Sequence, residues 1–143
     1  MSNIKNAEKF SYELMVKEGH LDTFGHMNNA TYLQILEEAR WEIINARGYG
    51  VEDIQAKGIG PVILEIHIHF HRELKLREKI TIETQCMTLE RKVTRLKQDI
   101  KNSQGKLACT AEVVVGVFDL NTRRMVDMPQ EWLIALGVEL EEE

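Results

Sequence analysis

No apolar run in the sequence approaches the roughly 20 residues that a membrane-spanning helix needs. The opening residues, MSNIKNAEKF, contain no apolar stretch of the kind that makes a secretion signal. There are only two cysteines, Cys86 and Cys109, each inside an alternating apolar stretch. That excludes a disulfide scaffold and suits buried free thiols in a reducing compartment, so the expected location is the cytoplasm. Of the serines Ser2, Ser11 and Ser103, none sits in a G-x-S-x-G elbow, which excludes the usual serine hydrolase. Gly48-Tyr49-Gly50 lacks a third glycine and does not follow a strand, and no Walker loop occurs, so neither nucleotide fingerprint is present. Basic charge is not in excess either. Lys and Arg total 18 against 23 acids, and the net charge of −5 disfavours a dedicated nucleic-acid binder.

What remains is a chain of 143 residues with 43% apolar and 29% charged side chains, ordinary for one globular domain. Phe10 to Lys17 alternates, placing Phe10, Tyr12, Leu14 and Val16 on one side of a half-buried strand. A polar loop from Glu18 to about Asn29 follows, and then a helix from about Ala30 to Arg47. Asn28 or Asn29 can cap its start and Gly48 can end it. Tyr32, Leu36, Ala39 and Ile43 form its apolar face, widened by Leu33 and Ile44. A short irregular stretch is expected through Gly58, Gly60 and Pro61. The period then switches to two. Strands are predicted from Val62 to Phe70, around Ile80 to Cys86, from Val93 to Asn102 and from Leu107 to Phe118, and a hairpin turn at Asn102-Ser103-Gln104-Gly105. After a turn at Asn121-Thr122-Arg123 comes a short last strand. Pro129 can open a final helical turn through Trp132 and Leu136, closed by Gly137, and the acidic tail from Glu139 reads as a solvated end. This order is α+β: one long helix available to cover one face of an antiparallel sheet. The long apolar run from Ala108 to Val117, with Val113, Val114 and Val115 consecutive, suggests burial on both faces, and hence a chain that is at least a dimer.

Chemistry concentrates in Asp22 to Arg40, DTFGHMNNATYLQILEEAR, where an acid, a histidine and two asparagines precede a helix start. The free N–H groups and dipole of that helix suit a developing negative oxygen, and Asp22 beside them could act as base or nucleophile. Gly25 would let the loop fold the acid back toward the helix end. On spacing alone the plainer reading stands ahead: turns and caps made by the same residues. His67, His69 and His71 project from one strand face, but no acid or cysteine completes a ligand set. A polar outer sheet face is the better reading than a metal site, with a second interface between subunits as a further use.

The pattern D-x-x-G-H-M-N-N-x-x-Y, formed by Asp22, Gly25, His26, Met27, Asn28, Asn29 and Tyr32, resembles the signature of hotdog-fold acyl thioesterases of the 4-hydroxybenzoyl-CoA thioesterase group. Glu37-x-Ala39-Arg40 resembles that group's E-x-A-R helix. The similarity continues through Gly58-Ile59-Gly60-Pro61, the strand ending near Phe70, Leu76-x-x-x-Ile80-Thr81-Ile82-Glu83-Thr84 and Val117-Phe118, so it covers about residues 10 to 134 of a single domain spanning 1–143. The resemblance implies a long central helix wrapped by an antiparallel sheet, with active sites between two subunits of a homodimer or homotetramer. It implies Asp22 as the catalytic carboxylate, the backbone N–H near Asn29 as the group polarising the thioester carbonyl, and His26 as an assisting base or orienting residue. Gly25, Asn28 and Tyr32 are carried over as substrate-binding. His26-Met27-Asn28-Asn29 is closer to the H-V-N-N of acyl-carrier-protein thioesterases than to the hydroxybenzoyl enzymes, which implies an aliphatic acyl group. The thioester would be carried by coenzyme A or an acyl carrier protein, with no metal or organic cofactor, since coenzyme A is part of the substrate. A hotdog that binds acyl-CoA without turnover and a hotdog hydratase are the rival readings.

Residues 91 to 106 hold Arg91, Lys92, Arg95, Lys97, Lys101 and Lys106 against Asp99 alone, a local +5 in an acidic chain. This strip suits the phosphates of coenzyme A or an acidic carrier, and equally the protection of a strand by lysines. The turn at Arg91-Lys92 resembles the coenzyme-contacting region of the family, which tips the balance toward binding.

Overall fold

The computed structural model describes residues 3–142. Helix α1 (Asn29–Ala46) is set at both ends by local chemistry. The Asn28 side chain accepts from the Ala30 amide at 2.8 Å, and Gly48 adopts φ +89° so that the Tyr49 amide can reach back to the Ile44 carbonyl at 2.9 Å. Its buried stripe is Tyr32, Ile35, Leu36, Ala39, Ile43 and Ile44. Leu33, expected on that face, is instead 41% exposed, and Ile35 takes its place. The stripe is centred nearer Ile35 and Ala39 than the spacing from Tyr32 suggested.

Strands β1 (Ile4–Ala7), β2 (Lys9–Met15), β3 (Ile59–Phe70), β4 (Lys79–Leu89), β5 (Val93–Lys101), β6 (Leu107–Asp119), β7 (Arg124–Met125) and β8 (Val138–Leu140) make up the sheets. The main sheet is antiparallel, in the order β2-β4-β5-β6-β3, with β7 paired to β6. Its inner face carries Ile80, Ile82, Leu96, Ile100, Val113 and Val115 in one core with Leu36, Ala39 and Ile44 of α1. This is the sheet-wrapped helix that the family resemblance implies. In β6, Val113, Val114 and Val115 are all buried, so the strand is covered on both faces there, as the consecutive valines predict, while Glu112 on the outer face is exposed. The hairpin at Asn102–Gly105 forms as expected, with Gly105 at φ +75° and the Asn102 carboxamide accepting from Gln104 and Lys106. Cys86 and Cys109 are both free and buried, and burial pushes each thiol up to about 12.

Three expectations need correcting. The stretch after α1 is not irregular throughout but holds a helix, α2 (Val51–Lys57). Asp53 accepts from the Gly50 amide at 3.1 Å at its start, and Gly58 closes it at φ +71°. Seven residues with one buried side chain, Ile54, give too short an apolar period to register in the sequence. The tail beyond Gly137 is not simply a solvated end: Val138 and Leu140 alternate with Glu139, and β8 pairs with β1 outside the 10–134 core. Between Ile63 and Glu65 the β3 register shifts, so the alternation predicted from Val62 to Phe70 breaks at Leu64. The final helix, α3 (Gln130–Ala135), follows Pro129 and ends before Gly137 at φ +71°, as the sequence predicts.

Candidate active site

The segment between β2 and α1 is a closed loop. Leu21 and Met27 bridge its base, and the Asp22 amide donates to the His26 carbonyl at 2.8 Å. At the tip the Asp22 Oδ1 accepts from the Phe24 amide at 2.9 Å and the His26 amide at 3.3 Å, while Gly25 turns at φ +80°. One carboxylate oxygen therefore shapes the loop. Among the described residues the other, Oδ2, has no hydrogen-bond or salt-bridge partner. Asp22 is solvent-exposed, and the loop sets it against the segment that enters α1. There the Asn28 side chain is spent on the Ala30 amide and its carbonyl on Thr31 and Tyr32, whereas the Asn29 amide, at the first helical position, has no acceptor among the described residues. A free carboxylate oxygen and a free helix-terminal donor thus sit on one short loop, the pair of functions that acyl transfer requires.

A cleft of about 330 Å³ adjoins this loop, lined by Met27, Asn29, Tyr32, Phe70, His71, Arg72 and Glu73. The Tyr32 ring is buried and packs edge-on to Phe70, with centroids 4.8 Å apart. Burial, with Cys109 and Glu73 nearby, holds its hydroxyl above the usual tyrosine range, so it stays a neutral donor. The His26 Nδ1 lies 3.8 Å from the Glu73 Oε2, and both side chains are exposed. Asp22, Gly25, His26, Asn28, Asn29 and Tyr32 are therefore brought to one end of the molecule. Phe70, at the end of a strand within the resemblance, and Glu73, which carried no motif, complete that end; only the fold places the exit of β3 beside the start of α1.

Arg91 and Lys92 are not part of this group. They lie in the β4–β5 turn, where the Val117 amide donates to the Lys92 carbonyl and Arg91 pairs with Asp127 at 3.1 Å. That turn is level with the start of β3, since Val93 faces Gly116 and Gly116 faces Val62. The loop of Asp22 is at the opposite end, near Phe70. With 12 residues, β3 spans roughly 36 Å, so one chain cannot bring both groups to one reacting carbon. The basic strip is also partly neutralised: Lys97 pairs with Asp99 at 3.5 Å and Lys101 with Glu83 at 2.6 Å.

At that same far end, under the second half of α1, is a cavity of about 160 Å³. Its walls come from α1 (Ile43, Ile44), β3 (Pro61, Ile63), β5 (Leu96), β6 (Val115) and α3 (Trp132). Arg40 also lines it, with its guanidinium donating to the Gln98 Oε1 at 2.8 Å; burial lowers the guanidinium pKa, and Glu37 partly offsets this. Gln98 is fully buried and donates in turn to the Leu36 carbonyl and the Thr84 hydroxyl, both at 3.0 Å. One signal of this clamp was in the sequence: Gln98 falls on the same parity as Thr94, Leu96 and Ile100, the inward side of β5. Among the described residues no group of three or more His, Cys, Asp or Glu side chains is arranged to hold a metal ion, and His67 and His69 lie exposed on the outer sheet face.

The model of the thioesterase-like superfamily matches residues 16–136. Over 121 residues the chain is 31% identical to the long-chain acyl-CoA thioesterase FadM of Escherichia coli (strain K12), covering 83% of this chain and 90% of that one. It is also 31% identical, over 125 residues, to the L-carnitine dehydrogenase/betainyl-CoA thioesterase of Agrobacterium fabrum, covering 87% of this chain but 26% of that longer one. Among solved structures, the probable thioesterase YbaW of Escherichia coli superposes with a TM-score of 0.78 at 30% identity, over 89% of this chain and 96% of that one. The SAV2348 protein of Staphylococcus aureus, solved with CoA, is 22% identical and has the same fold, with a TM-score of 0.84 over 94% of this chain and 85% of that one.

Proposed function

Because the chain belongs to the thioesterase-like superfamily, we propose that it hydrolyses acyl-CoA thioesters to a free acid and coenzyme A, acting as one domain at the Asp22 end of α1. The observation that carries this reading is the pairing, on one loop, of an Asp22 oxygen free of partners with the free Asn29 amide. In the general-base route, Asp22 takes a proton from water as the oxygen adds to the thioester carbon. The carbonyl oxygen becomes negative against the Asn29 amide, the C–S bond then breaks, and the proton goes to the departing thiolate. In the nucleophilic route the Asp22 carboxylate adds to that carbon itself, and the C–S bond breaks to release the thiolate and leave a mixed anhydride. Water then cleaves the anhydride, freeing the acid and Asp22 while a water proton passes to the thiolate. His26, tethered toward Glu73, orients the ester and contributes less than Asp22. Coenzyme A is favoured over a carrier protein by the two relatives that act on CoA thioesters, and an aliphatic acyl group by His26 and Asn28 in the loop. Two buried free thiols suit a cytoplasmic location.

The working unit in this reading is a homodimer. β3 is an edge strand of the main sheet, and it exposes apolar side chains towards both ends, Ile63 (39%) and Leu64 (47%) at one and Phe70 (49%) at the other, with Glu65, His67 and His69 between. Pairing β3 with β3 of a second copy about a two-fold axis runs the strands antiparallel. The Phe70 end of each subunit then meets the Ile59 end of the other, so Asp22 and Asn29 of one chain approach the Arg91-Lys92 turn and the 160 Å³ cavity of its partner. Groups at opposite ends of β3 in one chain become neighbours across the axis.

The test is thiol release from short, medium, long and aromatic acyl-CoA esters by the wild type and by Asp22→Asn. The variant keeps the loop's shape but not its base, and is expected to lose about 10²- to 10⁴-fold in kcat with ester binding retained. Near wild-type kcat in Asp22→Asn would remove the assignment.

A further inference from the structure

We propose that the cavity between α1, α3 and the sheet is the acyl pocket, and that it accepts an apolar acyl group of six to eight carbons and no longer. This rests on the thioesterase reading above and adds to it the length and polarity of the substrate. The floor is closed and apolar: Ile44, Leu96, Val115 and Trp132 are all buried. The rim is open, with Ile63 and Glu37 exposed and Trp41 half-buried, so a chain can enter from one side only.

Two polar groups in the wall meet at Gln98: the Thr84 hydroxyl takes its amide, and one guanidinium nitrogen of Arg40 donates to its Oε1. Beyond Arg40 and Glu37, the floor of Ile44, Leu96, Val115 and Trp132 offers a hydroxyl or carboxylate no free partner in place of its hydration, so the inner part selects hydrocarbon. Size sets the length. At about 160 Å³ the cavity matches an engineered protein cavity of ~150 Å³ that holds one benzene, hence roughly six carbons beyond the carbonyl region. Each methylene that enters should strengthen binding about fourfold, and each that cannot enter should add nothing.

The chain's only two tryptophans, Trp41 and Trp132, both line this cavity, so their emission reports its occupancy without turnover. The experiment measures kcat/KM for butanoyl-, hexanoyl-, octanoyl-, dodecanoyl- and palmitoyl-CoA, and titrates the same esters into Asp22→Asn by tryptophan fluorescence. Both series should rise steeply to six to eight carbons and then level or fall. Ile63→Phe, at the exposed rim, should move the break about two carbons shorter, and Leu96→Ala, at the floor, should move it longer. A binding series that rises evenly through palmitoyl-CoA, or a break that neither variant moves, would overturn the pocket assignment even if every ester is hydrolysed. A fluorescence break at eight carbons with no ester hydrolysed would keep the pocket and remove the thioesterase reading.

Discussion

The two ends of α1 are built on opposite plans. Around Asn29 the surroundings are polar and open, and the groups that matter are held by hydrogen bonds within one loop of seven residues, Leu21 to Met27. Under Ile43 and Ile44 the surroundings are apolar and closed, and the walls come from helices and strands scattered from residue 37 to 136. The first end carries charge that can do chemistry but has little with which to hold a hydrocarbon. The second can hold a hydrocarbon, and its one carboxylate, Glu37, stands at the exposed rim about 12 Å along the helix from the Asn29 amide. Arg40 lies about 16 Å along the helix from Asn29, so neither end of one chain completes the other. The division is resolved if a second copy brings its reactive end to the apolar end of the first.

The largest expected break in that scheme comes from the strand that would join the copies. Leu64→Lys puts a charge on the exposed β3 edge, the device by which natural edge strands refuse partners. Light scattering should then show monomers, with unchanged circular dichroism, and activity should fall at least about tenfold because each site loses half its parts. An active monomer would show that one chain suffices.

A smaller effect should separate the two ends by stability. Gln98→Leu strips the acceptor from the Arg40 guanidinium and the donor from Leu36 and Thr84, deep beside the cavity. Leaving a largely buried cation with no acceptor should cost about 2–3 kcal/mol in denaturant unfolding. His26→Ala, on the exposed loop, should leave the unfolding midpoint nearly unchanged and lower kcat modestly. Equal losses would mean that the loop is as much a part of the core as the clamp.

The smallest effect concerns the β4–β5 turn. Replacing Arg91 and Lys92 together by Ala should raise KM for acyl-CoA severalfold, with kcat held, because contacts to the coenzyme's phosphates are equal in ground and transition states. The same change should barely affect an acyl-pantetheine ester, which lacks the nucleotide, and it should weaken the salt dependence of KM. Equal losses on both esters would make the turn structural, in keeping with the Arg91–Asp127 pair.

The same contrast explains what could be read from the sequence. The Asp22 loop, the α1 cap at Asn28 and the hairpin at Asn102–Gly105 are made by residues adjacent in the chain, and local chemistry announces them. The apolar pattern also revealed β6 and its burial on both faces at Val113 to Val115. The cavity was invisible because its walls come from segments as far apart as residues 37 and 136; Gln98 on an inward position of β5 was its one local trace. Helix α2 and the β1–β8 ribbon were missed because each is short and gains its stability from partners distant in sequence. Leu33 was misplaced because its spacing fits the stripe, while the curl of the sheet covers Ile35 instead. For the Arg91-Lys92 turn, spacing revealed the charge but not its separation from Asp22, which only the strand register discloses.

The division of labour is tested most directly by mixing two defective chains. Asp22→Asn lacks the reactive end, and Ile63→Trp blocks the cavity end against octanoyl-CoA. When equal amounts are unfolded together and refolded, random pairing gives half heterodimers. If each site takes Asp22 from one subunit and the cavity from the other, every heterodimer has one site with both defects and one intact, so about one quarter of wild-type activity should return. If both halves of a site come from the same chain, each heterodimer site carries one defect, and the mixture should be no more active than the two variants assayed apart.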